Sequence, residues 1–175
     1  MTARMVKTPP LLLLAVGNPS RGDDALGPCL LERLAALHLD DAGDVELLTD
    51  FQLQVEHALD LQGRQAVLFV DAARPGVVDG ACLASIQADA CTPRNSHALS
   101  APAVLQVVEQ LNGQAPPAWQ LAMEGTDFEL GAALSPAATL HLARGVSLAM
   151  DWIATHRRCR TATNAPPHRE GRSNY

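Results

Sequence analysis

Short apolar runs bounded by glycine, proline and asparagine divide the chain into predicted strands. Residues 10–16 form a continuous apolar run between Pro9-Pro10 and Gly17-Asn18-Pro19. A run this short, enclosed by turn-forming residues, is typical of a strand buried on both faces of a sheet. Similar runs predict four more strands, at residues 45–49, 66–70, 81–87 and 119–123.

Apolar residues at helical spacing predict helices between these strands, at residues 25–38, 54–61, 99–111 and 137–153. Asp23 or Asp24 is expected to cap the first helix, and Ser135-Pro136 to begin the last one. In the second helix, we expect the apolar side chains to face inward, namely Val55, Ala58, Leu59 and Leu61.

Alternation of strand and helix over residues 10–70 predicts an α/β fold, a parallel sheet with helices on both faces. The connection after Asp71 is different, because Arg74-Pro75-Gly76 is a turn signal and only a short segment separates Asp71 from residue 81. Such a connection is too short for a helical crossover. We therefore expect the 81–87 strand to run antiparallel to its neighbours.

Charge is distributed unevenly along the 175 residues. The net charge is −6, but residues 157–175 contain five arginines and one acid, so residues 1–156 carry −10. An acidic body argues against nucleic acid as the main partner. We expect one domain over residues 1–156 and a basic, disordered tail over 157–175.

The sequence gives no support for a membrane-spanning or secreted protein, or for several common binding and catalytic motifs. The longest apolar run is too short to cross a membrane, and no signal-peptide layout surrounds it, so we expect a cytoplasmic protein. The four cysteines have no CxxC spacing, which favours buried or incidental thiols. Motifs for dinucleotide binding, for a phosphate-binding loop and for a serine-hydrolase elbow are absent.

Candidate chemistry lies where strands end, because open α/β sheets place their sites at the carboxyl ends of strands. Asp24 follows the first strand, Asp71 follows the third, and His97 precedes the helix predicted from residue 99. Two carboxylates and one imidazole at one edge form a mixed oxygen and nitrogen ligand set for a divalent transition metal. The simpler alternatives are a helix cap, a turn aspartate and a surface histidine.

The opening segment, residues 12–28, resembles the signature of the [NiFe]-hydrogenase maturation endopeptidases. In that family an apolar strand runs into G-N-x-x-x-x-D-D/E-x-x-G, as in Gly17-Asn18 to Gly27 here. The family's later blocks resemble residues 69–72, residues 96–100, and Gly125 with residues 130–136. The resemblance extends over residues 10 to about 155.

This resemblance implies a three-layer α/β domain with a five-stranded mixed sheet, in which one strand is antiparallel. It also implies an endopeptidase that removes the C-terminal extension of the hydrogenase large-subunit precursor after nickel insertion. The precursor's own nickel is then the recognition element and the only implied cofactor. The family's metal-contacting residues correspond to Asp24, Asp71 and His97, which would be catalytic as well.

One segment departs from the family pattern. Many members carry D-G-G-T-x-G after the second strand, whereas this chain has Asp50, Phe51, Gln52 and bulkier residues there. This replacement resembles the branch that serves soluble bidirectional or NAD-reducing hydrogenases. Asn18, Asp50 and Gln52 are expected substrate contacts, and Asn18 is also expected to orient the Asp24 loop.

Two rival functions remain open at this point. The same residues would serve a nickel-sensing chaperone that docks on the precursor without cutting it. A flavodoxin-like flavin binder is the third reading of an α/β pattern. Whether nickel or a carboxylate activates water also stays open.

Overall fold

The computed structural model describes residues 8–89 and 99–163. Within these residues the chain forms five strands: β1 (Leu11–Val16), β2 (Val45–Asp50), β3 (Ala66–Ala73), β4 (Ala81–Ile86) and β5 (Ala118–Glu124). It forms four α-helices: α1 (Leu26–Ala36), α2 (His57–Asp60), α3 (Ala101–Asn112) and α4 (Pro136–Thr163). A short 3-10 turn, Gly22–Ala25, precedes α1.

The strands form one mixed sheet in the order β2-β1-β3-β5-β4. Neighbouring strands are parallel, except that β4 runs antiparallel to β5. The predicted fold class is therefore confirmed, including the direction of β4. The order places β1 and β3 side by side, so the loops that follow these two strands emerge at the same edge of the sheet.

Side chains of β1 alternate between two hydrophobic cores, which explains its unbroken apolar sequence. Leu11, Leu13 and Ala15 pack against α1 and α4 on one face. Leu12 and Leu14 pack with residues of α2 and α3 on the other face. The domain consequently has three layers, with the sheet in the middle.

Two predicted elements differ from the structure near the carboxyl edge. The helix predicted at 54–61 is only α2, and its expected inward residues Val55 and Leu59 are 50% and 61% exposed. A single turn can bury only one narrow face, and His57 and Ala58 occupy it. Strand β3 continues beyond residue 70 because β5 pairs with it through Ala73, so Asp71 lies inside the strand.

Helix α4 extends to Thr163, beyond the end of the helix predicted at 137–153. Arg157 holds this part of the helix, because its guanidinium donates to both carboxylate oxygens of Asp44 at 2.9 and 2.8 Å and to the carbonyl of Leu39. The remainder of the predicted tail, from residue 164, lies outside the described residues. In the ranges that the structure describes, no helix combines the length and apolar character needed to span a membrane.

The carboxylate of Asp23 joins the loop after β1 to the loop after β5. Asp23 is fully buried, and the main-chain N–H groups of Thr126, Asp127 and Ser135 donate to it at 2.7, 3.0 and 2.7 Å. The Ser135 hydroxyl donates to it at 2.8 Å and accepts from the N–H of Ala138 at 3.1 Å. Ser135 therefore caps α4 as predicted, whereas neither Asp23 nor Asp24 caps α1.

Burial alone would raise the pKa of Asp23. The hydrogen bonds from Asp127, Ser135 and Thr126 outweigh burial, so the pKa lies below its ordinary value. Gly125 permits this arrangement, because a Cβ on it would lie 2.7 Å from the Cβ of Asp23. The two loops are thus held in direct contact around one ionised carboxylate.

Replacing Asp23 by asparagine should lower the free energy of unfolding by about 2–4 kcal/mol at pH 7. Asparagine has one acceptor oxygen and an NH2 group, so a donor would face the donors of Thr126 or Ser135. Urea unfolding measures the change, with exposed Glu129→Gln as the control in the same loop.

The difference should shrink in acid. The lowered pKa stabilises the fold above the pKa of the unfolded chain, near 4, and this contribution is lost as pH falls through the folded value. Equal stabilities of wild type and Asp23→Asn at pH 7 would contradict a structural role for this carboxylate.

Candidate active site

A cavity of about 280 Å³ opens at the carboxyl edge of the sheet, between the loops that follow β1 and β2, the strand β3 itself and the start of α3. Its walls are mostly apolar, and they include Leu14, Phe69 and Ala101. The polar residues in its lining are Asp24, Gln52, Asp71, Ser100 and Gln120. It therefore combines an apolar interior with a small number of hydrogen-bonding groups, as ligand sites commonly do.

Asp24 enters the cavity from the 3-10 turn after β1. The main-chain N–H of Asn18 donates to its Oδ2 at 2.8 Å. Gly17 has φ +142°, and a Cβ there would overlap the main-chain carbonyl of Asp24, so only glycine allows the turn to close this tightly. The loop thus presents one carboxylate in a defined orientation.

Asp71 lies on β3, on the same side of the sheet as Phe69, since side chains alternate along a strand. The N–H of Ala72 donates to its Oδ1 at 2.7 Å. Burial raises the pKa of Asp71 to about 6; the Ala72 bond opposes this shift, and the negative charge of Asp24 adds to it. The two predicted carboxylate residues therefore line the same cavity and interact electrostatically.

The two aspartates retain free ligand capacity. Among the described residues, Oδ1 of Asp24 and Oδ2 of Asp71 have no hydrogen-bond donor. Free oxygens on a close pair of carboxylates are suited to a divalent cation, which would also relieve their repulsion. No group of three or more acidic, histidine or cysteine side chains suited to a metal occurs in the described part of the chain.

The third predicted ligand, His97, lies outside the described residues, as does Cys91. Leu99, two residues after His97 in sequence, lines the cavity. Ser100 caps α3 by accepting from the N–H of Ala103 at 3.3 Å, which directs the start of this helix at the cavity.

Asp50 is held within its own loop. Its Oδ1 accepts from the N–H of Phe51 at 2.6 Å, and its Oδ2 lies 3.3 Å from Nε2 of the buried His57. The N–H of Gln54 donates to Nδ1 of His57 at 2.9 Å, so Nε2 carries the ring proton and points it at Asp50. Neither Asp50 nor His57 lines the cavity, whose lining residues after β2 are Phe51, Gln52 and Leu53.

The other two predicted substrate contacts, Gln52 and Asn18, differ in their exposure and hydrogen bonds. Gln52 is exposed at the cavity, beside Phe51. The side chain of Asn18 accepts from the N–H of Ser20 at 2.9 Å, so Asn18 positions Asp24 through its main chain and not through its amide.

Sequence reasoning missed Gln120 and Ser100 as cavity residues. The available signal for Gln120 was a polar residue inside the apolar strand at residues 119–123. The signal for Ser100 was a serine before Ala101-Pro102, which is a common start of a helix.

No protein-family model matches the chain, and no curated protein matches it in sequence. Solved structures match its fold. The [NiFe] hydrogenase maturation protease HycI from Thermococcus kodakarensis KOD1 is 21% identical, with a TM-score of 0.65 over 83% of this chain and 93% of that one. The hydrogenase maturating endopeptidase HybD from E. coli is 19% identical, with a TM-score of 0.66 over the same shares. At these identities the similarity establishes a shared fold.

Asp71→Asn should stabilise the protein at neutral pH, by about 1–3 kcal/mol. The raised pKa means that ionisation of Asp71 costs more in the folded state than in the unfolded one. This destabilisation by ionised Asp71 is absent below pH 4, increases as pH rises, and reaches its full value above about pH 6. Asparagine keeps an oxygen for the Ala72 bond and carries no charge.

Urea unfolding at several pH values between 4 and 7 measures this effect. The stability of Asp71→Asn relative to wild type should rise with pH, whereas that of Glu129→Gln should stay near zero throughout. A constant difference between Asp71→Asn and wild type at every pH would contradict the raised pKa.

Proposed function

We propose that this chain is an endopeptidase that removes the C-terminal extension of a [NiFe]-hydrogenase large-subunit precursor. The observation that carries the proposal is the pair Asp24 and Asp71, each with one free carboxylate oxygen, at the mouth of a defined cavity. The long opening motif and the shared fold with HycI and HybD support the same function. Those proteins are described as a hydrogenase maturation protease and endopeptidase.

The proposed donor set supports recognition of the precursor's nickel. Asp24 and Asp71 would supply oxygen ligands, and His97 would supply a nitrogen ligand, to a metal that the precursor holds. Docking on this metal places the scissile peptide beside the carboxylates, so positioning accounts for much of the rate enhancement. A carboxylate acting as general base or the substrate's nickel acting as a Lewis acid would activate water.

We assign the chain to the branch that serves soluble bidirectional or NAD-reducing hydrogenases, because of the loop after β2. Phe51 and Gln52 stand where many members have glycines, and both line the cavity. We propose that this loop, with Asp50 fixed by His57, contacts the substrate near the scissile bond. The protein would act in the cytoplasm on a protein partner, without nucleic acid.

Asp24→Asn, Asp71→Asn and His97→Ala should each reduce processing of nickel-loaded precursor at least about 100-fold. Each change removes a ligand or a charge and should leave circular dichroism unchanged. Mass spectrometry of the released C-terminal peptide measures the rate. Exposed Glu129→Gln is the control and should process like wild type.

The precursor should be cut only when it carries nickel. Parallel reactions with nickel-loaded and nickel-free precursor test this dependence. Equal cleavage of both forms would retain the peptidase and eliminate nickel as the recognition element. Binding of the loaded form without any released peptide would instead indicate the chaperone function.

A further inference from the structure

Gln120 is a polar residue in the interior of the sheet. It lies on β5, opposite Phe69 of β3 and Ala84 of β4, and it is one of the residues that line the cavity. Asp71 pairs with Ala122 on the same two strands. Because side chains alternate, Gln120 and Asp71 face the same side of the sheet, with Gln120 roughly 7 Å deeper along the strand direction.

The Gln120 carboxamide has no hydrogen-bond partner among the described residues. Of the other polar residues in the lining, Asp24, Asp71 and Ser100 each accept a main-chain N–H, whereas Gln52 is exposed to solvent. Leaving a half-buried amide unpaired costs free energy, since water on its exposed side replaces the lost bonds only in part. A leucine at this position would pack against the neighbouring Phe69 at lower cost.

We propose that Gln120 is a specificity-determining residue that binds one side chain of the substrate polypeptide. This inference rests on the proposed peptidase function. The cavity volume of about 280 Å³ suits a single side chain whose stem packs on the apolar walls. Its tip then reaches the carboxamide, which both donates and accepts hydrogen bonds.

The cavity lining defines the class of side chain that fits. A long side chain with a hydrogen-bonding tip satisfies Gln120, whereas an aliphatic one leaves the amide unpaired. An acidic side chain would meet Asp24 and Asp71 at the cavity mouth and be repelled. The residue concerned is one that flanks the scissile bond, because the carboxylates and Gln120 share the same cavity.

The test compares wild type, Gln120→Leu and the control Gln106→Leu, a half-buried glutamine of α3 outside the cavity lining. Affinity for nickel-loaded precursor is measured separately from cleavage, and urea unfolding gives the stability of each protein. Gln120→Leu should unfold at the same or higher urea concentration than wild type. It should bind the precursor about ten-fold more weakly, with KM raised more than kcat is lowered.

A substrate series completes the test. In precursor variants, each residue that flanks the scissile bond is replaced in turn by leucine. At one position, leucine should slow wild type and restore the rate of Gln120→Leu, so that the preference is inverted. Gln106→Leu should behave like wild type.

Outcomes separate this inference from the proposed function. Absence of cleavage by wild type would overturn the peptidase, while the affinities would still test Gln120. Equal affinities of wild type and Gln120→Leu, or destabilisation of Gln120→Leu, would overturn the inference and indicate a structural glutamine. An unchanged order of preference across the substrate series would also overturn it.

Discussion

One ionised carboxylate without access to solvent, that of Asp23, holds the functional edge of the sheet together. Its negative charge is balanced by N–H donors from the loop after β5 and by the hydroxyl that caps α4. Asp24, the next residue, accepts one N–H and lines the cavity. Adjacent residues of the same type therefore have different tasks, because the fold supplies one with a full set of donors and the other with a partial set.

The cavity contains polar groups whose burial lowers the stability of the fold, and hydrophobic packing elsewhere in the domain compensates for this loss. Asp71 is ionised at neutral pH despite burial and the nearby charge of Asp24, and Gln120 has no partner among the described residues. Two apolar cores, one on each face of β1, provide the stability that makes these costs tolerable. Buried charges and unpaired polar groups that occur together in one cavity are characteristic of functional sites.

Elements governed by local sequence could be predicted, and those governed by distant contacts could not. Apolar runs identified the strands, and the short 71–87 connection identified the direction of β4. Asp24 and Asp71 could be placed at one edge by topology alone. The task of Asp23 could not be predicted, because its donors come from residues 126–135. The extent of α4 was also missed, since Arg157 is held by Asp44 from the other end of the chain.

The bond between Asp23 and Ser135 joins residues 112 positions apart, and this separation has a consequence for synthesis. A nascent chain emerges from the ribosome N-terminus first, so the loop that contains Asp23 and Asp24 is synthesised long before the residues that donate hydrogen bonds to Asp23. Contacts of such long sequence separation also form late in folding. The cavity edge is therefore completed only after β5 and the first turn of α4 have emerged, and fragments that end before Ser135 lack it. The site can therefore form only after nearly the whole domain has been synthesised.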